Sequence, residues 1–544
     1  MSAPGLAALA LVLGVVALLA RQRATVPWVI GLAGLGVAFV ASWALPVGLR
    51  VGIGGETFAT TGYLRLFLAL LAVTGGVLTL VAWAAALTRA LPGLVLVWFA
   101  AAAAGLSILD PLPAMVLLTI GSLVPVLAGV PPGAAHDTMI LGRGVRAVVV
   151  AGLLAALALA LASLAAAWLA AAPSNPLAGG AGGPAVGVLG LAFVAAATGL
   201  ALRGGAVPLH GWLGRLSEQL AAPAIPIIFA WGPAAMTIVL LGWVADGLLP
   251  HDQPLATERL IVGLVAIASL LLGALAALLH DDLEHVVGYS LVSDAGILLL
   301  ALVSLDPDGW AAARTWILVY VVARSAFAAW ATAVALAYGT RRISGLSGWA
   351  RRSPLLAGSL VVIAVTAVGV PGLPAFEARS RLVGLALQPP LDLIAGAGII
   401  ASAGYFARLL ITGFRRPSAE VALAVDLQPA WPADLPRRLS REFIDEFPSA
   451  VRRNRRPAAA LAVFGLAMIG LAVAGGAFRG PALAAQPIPP PAETPAAVSP
   501  GPPGTPRPSE SPGVSPVPTL PAEPPVPSSS ITLPSPSTAP AALP

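Results

Sequence analysis

The chain has 544 residues, of which 58% are hydrophobic and only 10% charged, and its mean hydropathy is +0.90. Charge in soluble domains is nearer a quarter of all residues, so this composition excludes an ordinary soluble fold and implies a polytopic membrane protein. All 30 basic residues are arginine, set against 24 acidic ones for a net charge of +6, and the absence of cysteine excludes iron–sulfur ligation, disulfides and thiol catalysis by this chain.

Apolar runs of about 20 residues, enough to cross about 30 Å of hydrocarbon, fall at 5–20, 27–46, 64–88, 91–109, 111–131, 145–172 and 184–203. The second half adds 223–246, 258–280, 286–304, 312–338, 355–376, 391–413 and 457–478. The expectation is an all-α polytopic membrane protein with about 14 transmembrane helices. The first run lacks a basic flank and a convincing cleavage site, so it reads as a retained helix rather than a signal peptide. With fourteen spans, Arg21, Arg23, Arg89, Arg143, Arg146, Arg215, the cluster Arg341 to Arg352 and the cluster Arg415 to Arg456 all fall on one side. The positive-inside rule makes that side cytoplasmic and puts both termini outside. The loops carrying Asp110, Asp246, Asp306 and Asp308 are arginine-poor, which fits the opposite face. The loop at 414–456 reads as a basic segment that contacts anionic headgroups or a neighbouring subunit. After a last span at 457–480, residues 481–544 are rich in Pro, Ser, Thr and Ala and cannot bury a core, so this tail is expected to be disordered.

Two spans are broken by proline and glycine, and each carries an arginine at the break: Arg203 ahead of "GGAVPLHGWL" and Arg379 behind "VPGLPAFEA". A broken transmembrane helix frees backbone groups that lipid cannot satisfy, so it is tolerated only where protein or a wet cavity supplies partners. A cation at membrane depth is also costly, and its default reading is functional. Two breaks in corresponding halves suggest two inverted five-helix repeats around an ion path.

Arginine keeps its proton in a protein, so Arg203 reads as a fixed charge that holds water and biases a neighbouring acid, or as a snorkelling residue with its head in water. Arg379 has Glu377 two residues before it and Arg381 two after, which allows a local ion pair. His210 either titrates near the first break or packs against a carbonyl freed by Pro208. Asp294 lies in an otherwise apolar span and needs a partner, for which Arg324 on the next span is the candidate. Glu218, Asp282, Glu284 and His285, near helix ends, read as solvated or capping residues. Pro223, Pro226 and Pro233 are expected to kink the eighth span. Five histidines are too few and too scattered to suggest a metal centre.

"RGGAVPLHGWLGRLSEQLAAPAIPIIFAW" resembles the K-x-x-x-x-P-F-H-x-W-L-P signature of the proton-conducting antiporter-like membrane subunits of respiratory complex I. Arg203 takes the lysine position, while Pro208, His210, Trp212 and Leu213 match. "DDLEHVVGYSLVSDAG" resembles D-L-K-R-x-x-A-Y-S-S-I-S-H-x-G, with Asp282, Leu283, Tyr289, Ser290, Ser293 and Gly296 in register. The block from "ISGLSGWARRSPLLAGSL" to "VPGLPAFEARS" resembles subunit N of NADH-quinone oxidoreductase. There Gly345, Arg351, Arg352, Ser353, Pro354, Gly369, Pro371 and Phe376 keep the pattern and Arg379 replaces a lysine.

The resemblance covers about 91–413, which it marks as an antiporter-like core behind the N-terminal helices of 1–90. It implies a membrane-arm subunit in the bacterial cytoplasmic membrane that takes part in proton translocation, driven by electron transfer in partner subunits. With the residue readings above, the expected proton path passes through Arg203, His210, Asp294, Arg324, Glu377 and Arg379. It also implies a glutamate near Leu118 to Ile120 and a lysine near Ala235 or Met236, and both positions are apolar here. The subunit is therefore either a conductor that works through other groups or a mainly structural member. No nucleotide, flavin or iron–sulfur motif occurs, so no cofactor is expected on this chain. The expected partners are other subunits and the lipid bilayer, with no nucleic acid. An alternative is a subunit of a cation/proton antiporter or membrane-bound hydrogenase of the same fold. A stand-alone solute transporter would need a substrate site that the sequence does not display.

Overall fold

Apolar segments that must satisfy their own backbone in lipid become helices, and seventeen helices make up the framework of the described residues. The computed structural model describes residues 1–129, 137–171, 184–245, 255–416 and 455–477. The arginine-rich loop beyond Arg416 and the Pro-rich tail expected at 481–544 lie outside these residues. In chain order the helices are α1 (Ala3–Leu19), α2 (Val26–Trp43), α3 (Gly62–Ala84), α4 (Leu91–Gly105), α5 (Pro111–Gly129) and α6 (Asp137–Ala171). They continue with α7 (Pro184–Gly204), α8 (Gly211–Gln219), α9 (Gly232–Trp243), α10 (Ala256–Leu279), α11 (Leu283–Val303) and α12 (Pro307–Tyr338). The last are α13 (Trp349–Arg352), α14 (Pro354–Val368), α15 (Pro374–Ala386), α16 (Leu391–Phe414) and α17 (Arg455–Ala474).

Among the described residues, eleven helical segments are long and apolar enough to cross a membrane, and Leu91–Gly105, Pro111–Leu127 and Pro354–Val368 are shorter apolar helices. Together they occupy the fourteen expected positions, and the chain is a multi-pass membrane protein. Boundaries differ where charge is tolerated at a helix end. The sixth span begins at Asp137 rather than 145, because Arg143 and Arg146 lie in its first turns. Helix α12 begins at Pro307 rather than 312, where the Asp306 carboxylate accepts from the Asp308 N–H at 2.7 Å and caps it.

Five spans from α4 to α9 and five from α10 to α16 form two sets, and in each the fourth span is discontinuous: α7 breaks before α8, and α14 breaks before α15. An odd number of crossings makes the second set start from the face opposite to the first, which is the geometry of an inverted repeat. Helix α12 is the central column. Every residue from Trp316 to Val334 is buried, so this helix is packed on all sides. By contrast α1, α2 and α10 turn Val12, Val40, Leu272 and Leu279 outward.

The eighth span is irregular, as its prolines suggest. A short 3₁₀ turn at Ala222–Ala224 and a π-helical turn at Ile227–Trp231 precede α9. One element had no sequence expectation. Strands β1 (Arg50–Ile53) and β2 (Glu56–Ala59) form an antiparallel hairpin with Ile53 paired to Glu56. Its Gly54 and Gly55 both have positive φ, +63° and +89°, as a tight two-residue turn requires. The hairpin docks on the α4–α5 connection through the Ala59 N–H to Ser107 O bond of 2.7 Å.

Candidate functional site: charged side chains at the helix breaks

At the first break, the chain leaves α7 through Gly205, whose φ of +68° favours glycine. The freed backbone groups find partners inside the protein: Val207 N–H donates to Ser269 Oγ on α10 at 3.0 Å, and the Trp212 indole donates to Leu202 O at 3.1 Å. Arg203, in the last turn of α7, is only 4% exposed, so its stem does not carry its head to water. Its guanidinium lies against Gly232 at the start of α9. A Cβ added there would stand 2.7 Å from Cζ and 3.1 Å from Nε. Both terminal nitrogens of Arg203 lack a hydrogen-bond partner among the described residues. The π-helical turn beside it frees Phe229 O, which accepts from the Tyr320 hydroxyl of α12 at 2.9 Å. Two residues on, Trp231 Nε1 donates to Ser325 Oγ at 2.9 Å.

In the middle of the protein, Arg324 of α12 pairs with Asp294 of α11, the partnership expected from the sequence. Its Nη1 donates to Tyr405 Oη of α16 at 2.9 Å, a third member that sequence reasoning missed. All three are buried. Tyr320 lies one turn from Arg324 on the same face of α12. It feels the charges of Asp294, Arg324 and Arg203.

At the second break, Arg379 of α15 donates through Nη1 to Ala367 O at 2.6 Å and to Val368 O at 2.7 Å. These belong to the last turn of α14, whose carbonyls have no helical partner and carry its negative dipole end. The guanidinium also lies 4.4 Å from the Trp316 ring centre, a cation–π contact. Arg379 thus closes the break. It also feels Asp294, Arg324 and Tyr405. Glu377, two residues earlier, is on the exposed face of α15 and lines a hollow of about 210 Å³ with Arg381 and Thr315. Residues two apart on a helix do not share a face, so Arg379 turns inward and Glu377 outward.

His210 lies beside the first break, half-buried, in a cavity of about 330 Å³ with Gly273, Ala276, His280 and Tyr289. Its buried Nδ1 has no hydrogen-bond partner among the described residues. None of the buried arginines lines this cavity. The His280 ring stands 4.6 Å from Tyr289 and 5.0 Å from His285. Three of the five histidines therefore gather here, away from the central row.

Asp282 does cap a helix, accepting from Glu284 N–H at 2.8 Å. Glu284 itself is not solvated: it is 6% exposed and accepts from Arg341 Nη1 at 2.8 Å. The Glu218 side chain lies outside the described set. Of the positions that stand for the missing relay groups, Leu118, Ala235 and Met236 are packed in the core, whereas Ile120 faces outward.

The arrangement is a row, Arg203, Tyr320, Asp294 with Arg324, Tyr405, then Arg379, joining the two breaks through the centre. Arginine cannot pass a proton on, so the row supplies a fixed positive field, and its acids, hydroxyls and any water held among them are the groups able to exchange protons.

Residues 182–403 match the family described as NADH:quinone oxidoreductase/Mrp antiporter, transmembrane. NADH-quinone oxidoreductase subunit N of Halorhodospira halophila is 28% identical over 228 residues, 41% of this chain and 46% of the relative. The subunit N of Polaromonas naphthalenivorans is 36% identical over 208 residues, 35% of this chain and 39% of the relative. The chain thus matches under half the length of these curated relatives. Among solved structures, a chain of the Mrp complex from Dietzia sp. aligns with a TM-score of 0.68 at 19% identity, covering 88% of this chain and 96% of that one. A chain of respiratory complex I from Thermus thermophilus aligns with a TM-score of 0.62 at 21% identity, covering 87% and 100%. At these identities the likeness establishes the fold.

Proposed function

We propose, from the match of residues 182–403 to the family described as NADH:quinone oxidoreductase/Mrp antiporter, transmembrane, that this chain is a membrane-arm subunit of an NADH-quinone oxidoreductase-like complex and takes part in its proton translocation. Electron transfer belongs to partner subunits. The complex sits in a bacterial cytoplasmic membrane, with the arginine-rich face inside and both termini of this chain outside. Residues 91–413 are the antiporter-like core.

The observation that carries this reading is Arg203. A buried cation with no partner on its two terminal nitrogens is costly. Structural economy would pair it, as Arg379 is paired with the carbonyls of α14. A guanidinium left open at a helix break is suited to hold water and to repel a proton passing nearby. In this scheme Arg203, Arg324 and Arg379 set the field, while His210, Asp294, Glu377 and water exchange protons. A second reading, a mainly structural subunit, draws on the bonds that tie Arg379 to the end of α14 and Arg324 to Asp294 and Tyr405.

The test is proton transfer in liposomes holding the purified complex, comparing the parent with Arg203→Ala, Arg379→Ala and His210→Ala at matched assembly and redox rate. Fewer protons moved per electron supports conduction through this chain. Unchanged pumping in all three makes it a scaffold. A sodium-dependent proton flux that needs no quinone would instead place it in a cation/proton antiporter complex.

A further inference from the structure

We propose that Glu284, with the cavity it lines, is where a proton is taken up from the arginine-rich face on its way to the buried row of charges, an inference that rests on the conducting role proposed above. The cavity, about 220 Å³, opens beside the exposed Gly339 and Arg341 and closes on the buried Thr332 and Ala331 of α12. That volume holds several waters.

A carboxylate this deeply placed needs compensation. Here it comes from one flexible arm: Arg341 is 53% exposed, whereas the Glu284 side chain is 7% exposed. The pair therefore has one partner fixed in the protein and the other anchored in water. Among the described residues, the other charged groups around Glu284 are Asp282 and His285 on its own helix end. The walls from the α3–α4 turn and the 3₁₀ turn before α9 contribute only Ala85, Leu87, Ala221 and Ala222. In the matching sequence pattern this position is a lysine, so the carboxylate is a feature of this chain.

The cavity floor points inward along one stripe of α12. Thr332, Ala328, Arg324 and Tyr320 follow at four-residue intervals, so they share a face. Thr332 Oγ1 donates to Ala328 O at 2.9 Å. Eight residues separate Thr332 from Arg324, about 12 Å along the helix. Ala328 lies between them with the smallest side chain that keeps the helix. The step is a simple exchange: a proton from water binds a Glu284 oxygen as the Arg341 contact opens, then leaves to a cavity water as that contact re-forms. Arg341 stays charged throughout.

The experiment measures protons moved per electron in liposomes holding the complex, for the parent, Glu284→Gln, Arg203→Ala and the double variant, at matched assembly and redox rate. The expected result is the same reduced ratio in all three variants, because they interrupt one path. In addition, Arg341→Gln should move the pH at which pumping is half-maximal upward, since removing the cation favours the protonated carboxyl. A normal ratio in Glu284→Gln with a reduced ratio in Arg203→Ala overturns the uptake site and leaves the conducting role intact. Normal ratios in both overturn the conducting role, and the uptake site with it. A double variant lower than either single one also overturns the proposal, because the two residues would then serve separate paths. Where Glu284→Gln does not assemble, the Arg341→Gln profile decides, and an unmoved profile refutes uptake at Glu284.

Discussion

Breaking the Asp294–Arg324 pair should expose an asymmetry, because only one of its partners can shed its charge. Both side chains are 2% exposed, and Arg324 has Tyr405 as its other partner at 2.9 Å. Asp294→Ala leaves a guanidinium that keeps its proton, held by one neutral hydroxyl. Removing one member of a buried pair costs about 3–5 kcal/mol, and here nothing relieves it. Arg324→Met leaves a carboxylate that can take up a proton. An aspartate in water releases its proton near pH 3.9, so reprotonating it at pH 7 costs about 4 kcal/mol, and about 1.4 kcal/mol less for each unit of acidification. The folded variant then binds one proton more than its unfolded chain, so its stability rises as pH falls toward about 4. The penalty of Arg324→Met should shrink to about 1.5 kcal/mol near pH 5, while that of Asp294→Ala stays constant. The double variant Asp294→Leu with Arg324→Met buries no charge and should regain most of the loss. Denaturant unfolding of the protein in lipid nanodiscs, followed by tryptophan fluorescence at both pH values, reads all four species. A pH-independent penalty for Arg324→Met, or a double variant as unstable as the sum of the singles, would refute the reasoning.

Gly232→Ala should destabilise the protein by about 1–3 kcal/mol, the usual cost of overpacking, because its Cβ would stand 2.7 Å from Arg203 Cζ. Adding Arg203→Met should restore the melting temperature, and a Gly232→Ala variant as stable as the parent sinks this account. Arg379→Met strips two carbonyl oxygens of α14 of their donor, at about 1–3 kcal/mol each. Hydrogen exchange at residues 367–373 should rise, and Arg379→Lys should recover only part of the protection, since an ammonium cannot lie flat on Trp316. Burial pulls the Asp282 carboxyl up, but hydrogen bonds from His285 and the Glu284 N–H outweigh it and hold the group below the ordinary aspartate value. A depressed folded value means stabilisation that is present at neutral pH and lost as pH falls through it. Asp282→Ala should therefore cost about 1 kcal/mol at neutral pH and little in acid, which unfolding curves at the two pH values would show.

The spans were legible because an apolar run long enough to cross lipid has few other uses, and the breaks because "GGAVPLHG" and "VPGLP" put punctuation where a helix should continue. The pairing of Asp294 with Arg324 followed from the rarity of charge at that depth. What stayed hidden depends on contacts between distant residues. Tyr405 is 81 residues from Arg324, and nothing in its local pattern distinguishes it from a packing aromatic. Glu284 reads as a helix-end charge until α12 brings Arg341 across to it, 57 residues on. The orientation of Glu377 against Arg379 was open to helical geometry, since residues two apart diverge. The hairpin at 50–59 also left a signal, two glycines between short strands, too brief to stand out among long apolar runs.

Among the described residues, the three buried arginines differ in what binds them, and that difference sets where the field of the row is open. Arg379 is engaged by two carbonyls and a tryptophan, Arg324 by a carboxylate and a hydroxyl, and the terminal nitrogens of Arg203 by no protein group among the described residues. A fixed cation raises the energy of a nearby proton in proportion to how little of its field is already answered. The field is therefore most open at the first break, is answered by a full anion at the centre, and at the second break meets carbonyl dipoles and a ring, with Arg379 Nε lacking a hydrogen-bond partner among the described residues. A lysine in these places can alternate between charged and neutral, whereas arginine can change its influence only when something else moves against it. Proton movement past such a row has to be gated by rearrangement of water and of the Asp294 pair, not by titration of the cations themselves. The π-helical turn and Gly232, which make room for Arg203, belong to that gate as much as the charge does.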